Sequence, residues 1–181
     1  MNDEASYLPA TDVQRFVREL MAFVDLGEVD VALIRRTAPL VLAHEPVLTA
    51  ALYDHFLRFP ETARYFTDET GRPDEARLER RKHSLGRWLR ETAEVAMTRE
   101  FGYYLLGVGL SHSHRVGPGG QVPVRFLVGA LSLFQTALAR VFHAGLADPA
   151  EALEAAVAWN KLLLVHLSVL LLGYLPPRPV A

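Results

Sequence analysis

Seven histidines are the residues of this 181-residue chain with most scope for chemistry, and two of them lie together in His112-Ser113-His114. The apolar periodicity before this pair predicts that it ends a helix, whose inner face carries Phe101, Tyr104, Leu105 and Val108. The pair could simply favour the negative end of a helix dipole. It could belong to a first-row metal site, because imidazole suits Zn, Cu, Fe and Ni. In a third interpretation, one imidazole binds an iron that a porphyrin already holds.

The third interpretation requires the fewest protein ligands from the rest of the sequence. A closed metal site needs three or four protein ligands, and the chain has no HExxH motif and no second histidine pair to supply them. A porphyrin supplies four nitrogens itself, so a single histidine in an apolar helical chain is enough. The residues alone leave the choice of ligand open between His112 and His114. Tyr103, Leu106 and Leu110 would give His114 an apolar helix face of its own.

Composition removes several other classes of chemistry. With no cysteine, the chain has no disulfide, thiolate metal site or thiol nucleophile. There is no phosphate-binding glycine loop and no serine in a nucleophile elbow. A net charge of −2 gives no reason to expect a nucleic acid or an anionic membrane as partner. Asp3 and Glu4 stand where a secretion signal would be basic, so we expect a cytoplasmic protein.

The most apolar stretch, residues 162–175, is too short to cross a membrane. It has 14 residues and is interrupted by His166 and Ser168, whereas a spanning helix needs roughly 20 apolar residues. A helix that is apolar on all sides is typical of a core, or of a core shared with a partner subunit. We therefore predict no membrane span, and we interpret His166 as a core or interface histidine.

Helical periodicity runs through almost the whole chain, with prolines and glycines at the joints and no strand signal. Thr11 with Gln14 predicts a capping box for the first helix, while Thr98 and Asp148 are predicted N-caps of later ones. We expect one all-α domain over residues 1–181, with about eight helical segments, flexible tails at 1–10 and 176–181, and no appended output domain.

Several short segments, in order, resemble the protoglobins and the globin domains of globin-coupled sensors over roughly residues 11–175. A late-helix tyrosine is followed by an aromatic pair, an acidic loop and a basic helix with tryptophan, and later by a Gly-Leu pair just before a histidine. The segments are Leu52-Tyr53, Tyr65-Phe66-Thr67, a loop ending at Pro73, Arg87-Trp88, Gly109-Leu110-Ser111-His112, Pro123-Val124-Arg125-Phe126-Leu127 and Ala158-Trp159-Asn160-Lys161. The resemblance implies a globin-like fold with an extra N-terminal helix and a bound haem b, iron protoporphyrin IX.

The resemblance also implies roles for individual residues. It places the proximal iron ligand at His112 instead of His114, and it places Tyr53 on the distal side, where it could donate a hydrogen bond to a bound gas. Leu85 falls where the family has an apolar residue that closes over the ligand. We predict cofactor contacts also for Leu105, Val108 and Trp88, the last of which is mainly a core residue.

Two departures from the family predict a roomier pocket. Leu52 stands where archaeal protoglobins have a tryptophan, and Ala130 stands where an aromatic residue is expected. The segment before Thr11 is also shorter, which puts deep burial of the haem in doubt.

The function implied is reversible binding of O2, CO or NO at a five-coordinate haem iron, in a sensor, carrier or scavenger. The resemblance also implies a homodimer built on the last two helices. Two alternatives remain. One is a haem-free globin-fold interaction module, and the other is a haem enzyme such as a nitric oxide dioxygenase or a peroxidase-like catalyst, for which no acid–base pair is visible.

Overall fold

The structure is a computed structural model that describes residues 9–95, 98–114 and 120–175. These ranges contain eight α-helices and no β-strand, apart from one isolated bridge between Thr67 and Pro73. The helices are α1 (Val13–Phe23), α2 (Glu28–Ala43), α3 (Glu45–Leu57), α4 (Pro60–Ala63), α5 (Glu75–Ala93), α6 (Arg99–Ser113), α7 (Val124–Gly145) and α8 (Pro149–Leu172). The predicted all-α fold of about eight segments is confirmed. Residues 1–8 and 176–181 of the predicted tails lie outside the described ranges.

Side-chain caps fix where four of these helices begin, and one of them is Asp74, whose carboxylate accepts from the Arg77 N–H at 2.9 Å at the start of α5. Thr98 accepts a hydrogen bond from the Phe101 N–H at 3.2 Å, and Asp148 accepts one from Ala150 at 2.9 Å, as predicted. The capping box predicted at Thr11 is wrong by one residue. Asp12 is the N-cap of α1, and its carboxylate accepts from the Arg15 N–H at 3.0 Å. A cap of this kind stabilises a helix by about 1 kcal/mol.

Helix α8 forms the centre of the core and packs against α1, α2, α6 and α7. Its fully buried side chains include Trp159, Leu162 and Leu163, and burial of each apolar side chain contributes roughly 1.5–3 kcal/mol. The indole Nε1–H of Trp159 donates to the Thr37 hydroxyl at 2.9 Å, which ties α8 to α2. The helix that is apolar on all sides is therefore a core helix.

Helices α6 and α8 cross in backbone contact near their C-terminal ends. A Cβ at Gly109 would collide with the Leu170 carbonyl oxygen, and a Cβ at Gly173 would lie 2.5 Å from the Gly109 carbonyl carbon. Only glycine permits so close a crossing at these two positions. Because His112 lies three residues after Gly109, the crossing sets the position of the helix end that carries this histidine.

By length and composition alone, α7 and α8 could each cross a membrane. Of the most apolar window of α8, 56% is buried inside the protein, so its central place in the core accounts for its apolarity. The corresponding window of α7 is only 17% buried. Helix α7 therefore presents an apolar outer face, which includes Val124 and Val128.

Candidate functional site

A cavity of about 440 Å³ opens between six helices, and it brings together all six site residues that the sequence predicts. Each wall uses residues at helical spacing. The lining residues are Leu52, Tyr53 and Phe56 of α3; Thr62, Tyr65 and Phe66 in and after α4; Arg81, Ser84, Leu85 and Trp88 of α5; Tyr104, Leu105, Val108, Ser111 and His112 of α6; Val122 and then Phe126, Leu127, Ala130, Leu131 and Phe134 of α7; and Leu167 and Leu170 of α8. The lining is mostly apolar and aromatic, which is typical of a pocket for an apolar ligand.

The wall formed by α6 and α8, here called the histidine wall, carries His112. Its ring Nδ1 lies 2.7 Å from the Val108 carbonyl oxygen, one helical turn earlier. A carbonyl can only accept, so Nδ1 is the protonated nitrogen and the lone pair resides on Nε2. This arrangement is the one in which a second contact fixes the tautomer of a metal-binding histidine. In this tautomer Nε2 is the ring nitrogen that can bind a metal.

The structure separates the two histidines that the residue pattern left equivalent. His112 lines the cavity and is partly buried, whereas His114 is exposed and forms the C-cap of α6. The face proposed for His114 is partly solvated, because Leu110 is 44% exposed. Of the two, only His112 can act inside the cavity.

The wall formed by α3, α4 and α5 with Tyr65 and Phe66, here called the tyrosine wall, carries Tyr53. Its ring is buried and meets the ring of Phe66 edge-on at 5.3 Å between centroids, and that of Phe56 at 5.7 Å. Burial raises the pKa of Tyr53 to about 12, against a smaller lowering by the positive charge of Arg81. Within the described residues its hydroxyl makes no hydrogen bond. Tyr53 is therefore a neutral donor available to a ligand.

Leu85 and Trp88 lie one turn apart on α5, and both line the cavity. The Trp88 ring contacts the Phe134 ring edge-on at 5.5 Å between centroids, so it is both a core and a cavity residue. Leu52 and Ala130, the two departures from the resembled family, also line the cavity. The smaller side chains thus lie where they widen the space.

Sequence reasoning left several lining residues unassigned. Arg81 lies one turn before Leu85 on the same face of α5, and helical spacing could have found it. Phe66 and Phe134 reach the cavity through the crossing of helices, which no local pattern reveals. His166 is fully buried between the Trp88 and Phe101 rings, and burial lowers its pKa to about 3. It is a core histidine and does not line the cavity.

Gln121 and Val122, shortly before α7, are held by main-chain and tyrosine contacts. The Val122 N–H donates to the His112 carbonyl at 2.9 Å, and the Tyr174 hydroxyl donates to the Val122 carbonyl at 2.8 Å. The Tyr65 hydroxyl donates to the Gln121 carbonyl at 2.7 Å. These bonds connect the end of α6 to Tyr174, just after α8, and residue 121 to the tyrosine wall.

The donor set fits a porphyrin iron better than a bare ion. Over residues 9–95, 98–114 and 120–175, no group of three or more His, Cys, Asp or Glu side chains could hold a metal. One imidazole in an apolar cleft, with the hydroxyl of a buried tyrosine on another wall, fits a metal whose other ligands come with the cofactor. Helical folds with such a cleft include the globins.

The chain belongs to the Protoglobin family, whose model matches residues 14–178. It is similar in structure to the globin domain of a Geobacter sulfurreducens globin-coupled sensor, with a TM-score of 0.74 and 20% identity over 87% of this chain and 96% of that one. It is also similar to the ferrous globin domain of E. coli DosC, with a TM-score of 0.69 and 16% identity over 86% and 97% of the two chains. No curated protein matches the sequence. Membership of the family implies haem-based gas binding.

Proposed function

We propose that the cavity holds haem b and that Nε2 of His112 is the one protein ligand of its iron. The hydrogen bond from His112 Nδ1 to the Val108 carbonyl carries this proposal, because it leaves the lone pair on the other ring nitrogen of a histidine that lines an apolar cavity. Leu105 and Val108 beside it, and Leu85 and Trp88 on α5, supply apolar contacts for the porphyrin faces. The sensor-globin domains named above support the fold that this site requires.

The other side of the cavity is suited to a diatomic gas. Bound haem supplies an iron with one position that can take O2, CO or NO. Among the described residues no second histidine, and no methionine or lysine, lines the cavity, which supports a five-coordinate iron. The Tyr53 hydroxyl donates a hydrogen bond to the gas, and its raised pKa keeps it protonated over the whole physiological range. Sensor, carrier and scavenger all use this chemistry.

The absorption spectrum of the purified protein, with and without added haemin, tests the proposal. We expect a Soret band that moves when the reduced protein is exposed to CO, and the pyridine haemochrome of haem b after extraction. A chain that stays colourless after reconstitution, while retaining its helical circular dichroism, would contradict haem binding and leave a globin-fold interaction module.

We also propose a cytoplasmic homodimer formed through α7 and α8. One face of α8 exposes Leu153, Val157 and Leu164, which are 63%, 39% and 42% exposed, and α7 adds Val128 at 45%. Exposed apolar side chains on two helices that pack together, as α7 and α8 do, are typical of a subunit interface. The absence of cysteine fits a reducing compartment.

Sedimentation equilibrium tests the dimer. Leu164→Glu should shift the protein to monomer, whereas Val47→Glu, at a 69% exposed position on α3, should not. A wild-type protein that is monomeric at micromolar concentration would refute this interface.

A further inference from the structure

The mouth of the cavity is marked by the three lining residues that are exposed to solvent. They are Arg81 and Ser84 on α5 and Ser111 on α6, and all three are polar. The remaining lining residues of the described chain are buried or half-buried, and most are apolar. A flat apolar ligand with one charged edge therefore has a single favourable orientation, with that edge at these three residues.

Arg81 is the one permanently charged side chain that lines the cavity, and no Asp or Glu lines it within the described residues. The side chains one turn before and after it on α5 are Arg77, Leu78, Ser84 and Leu85, so its own helix offers it no carboxylate. Arg77, the nearest other arginine on that helix face, is paired with Asp74 at 3.0 Å. Among the described residues Arg81 makes no ion pair or hydrogen bond.

We infer that the Arg81 guanidinium binds a propionate carboxylate of the porphyrin at the mouth of the cavity. The inference rests on the proposed haem binding and adds how the cofactor is oriented and retained. A guanidinium matches a carboxylate with two parallel N–H donors, which gives direction as well as attraction. Its charge also reaches the Tyr53 hydroxyl, which places the anchored edge on the side of the tyrosine wall.

The rate of cofactor loss to an excess of a haem-scavenging apoprotein tests this role. The variants are Arg81→Gln, Arg81→Lys and the control Arg80→Gln, which removes an exposed charge from the adjacent position that does not line the cavity. Each protein is loaded in parallel with haemin and with haemin dimethyl ester, whose propionates carry no charge. Thermal unfolding of the apoproteins establishes that the variants fold.

With haemin, R81Q should lose the cofactor about fivefold faster than wild type, the size expected of one solvent-exposed charge-assisted pair. The rate of haemin loss from R81K should lie between those of wild type and R81Q, because lysine keeps the charge and loses the bidentate geometry. R80Q should match wild type. With the dimethyl ester, the difference between R81Q and wild type should disappear.

Other outcomes would overturn the inference. An R81Q effect of the same size with both cofactors would mean that the side chain acts by packing. Unchanged haemin loss together with weaker azide binding to the ferric protein would assign Arg81 to a small anion beside Tyr53. Equal rates of loss from wild type and R81Q would refute the Arg81 assignment alone, whereas a wild type that takes up neither cofactor would refute the proposed function itself.

Discussion

The histidine wall and the tyrosine wall of the cavity are held in place by different kinds of contact. On the histidine wall, the backbones of α6 and α8 are in contact at Gly109. The His112 ring donates to the Val108 carbonyl, and the His112 carbonyl accepts from the Val122 N–H. On the tyrosine wall, Tyr53 is held by the edges of the Phe56 and Phe66 rings, and no hydrogen bond within the described residues fixes its hydroxyl. The main chain therefore positions the proposed iron ligand, whereas side-chain packing positions the hydroxyl that we propose to face a bound gas.

The largest effect should come from the imidazole itself. His112→Ala should abolish histidine coordination of the iron, because no other histidine lines the described part of the cavity. Resonance Raman and absorption spectra of the ferrous protein would record the loss, and added imidazole should restore a histidine-like spectrum. His114→Ala should leave both spectra unchanged. The reverse pattern would move the ligand to His114 and remove the basis for the histidine wall.

The next effect should follow from the helix crossing. In Gly109→Ala the new Cβ meets the Leu170 carbonyl oxygen, so α6 and α8 must separate, at a cost of about 1–3 kcal/mol in the free energy of unfolding. Gly107→Ala is the matched control on the same helix, because a Cβ there meets nothing within 4 Å. Replacing this exposed helical glycine should stabilise the protein by about 0.5–1 kcal/mol.

Urea unfolding of the two apoproteins measures the expected loss of stability in G109A and the expected gain in G107A. G109A should also release haemin faster than G107A, because the separation displaces the end of α6 that carries His112. Equal stability of the two variants would show that the crossing tolerates a side chain, and the contrast between the walls would then lose its physical basis.

On the tyrosine wall, the expected change is confined to ligand kinetics. Tyr53→Phe should speed O2 dissociation about tenfold, since a hydrogen bond to a partly negative ligand is worth roughly 1–1.5 kcal/mol. CO dissociation should change much less, because bound CO carries little negative charge. Flash photolysis and stopped-flow mixing measure both rates. Tyr103→Phe, whose hydroxyl donates to the Thr11 carbonyl outside the cavity, is the control. An unchanged O2 rate in Y53F would assign the Tyr53 hydroxyl no role in binding.

The two walls also differ in how far the sequence could predict them. Helical spacing correctly brought Leu105, Val108 and His112 to one face of α6, and Leu85 and Trp88 to one face of α5. The same spacing could have added Arg81 and Ser84. It could not predict that Phe66 lies against Tyr53 or that Gly109 touches the Leu170 carbonyl, because both depend on how helices distant in sequence cross. The choice of His112 over His114 came from resemblance, and the structure supplies its physical reason in the exposure of His114.

The smallest effect should come from the tyrosine that supports the histidine wall from the end of α8. Tyr174→Phe removes the hydrogen bond to the Val122 carbonyl and leaves the ring in place. The N–H of Val122 in turn donates to the His112 carbonyl. We expect a loss of about 1 kcal/mol in the free energy of unfolding. Haemin retention should fall less than twofold, because Gly109 and Val108 still fix the end of α6. O2 and CO dissociation rates should stay within experimental error of wild type.

If Y174F instead released haemin as readily as G109A, a side chain would control the histidine wall as much as the main chain does. The division between the two walls would then have to be abandoned.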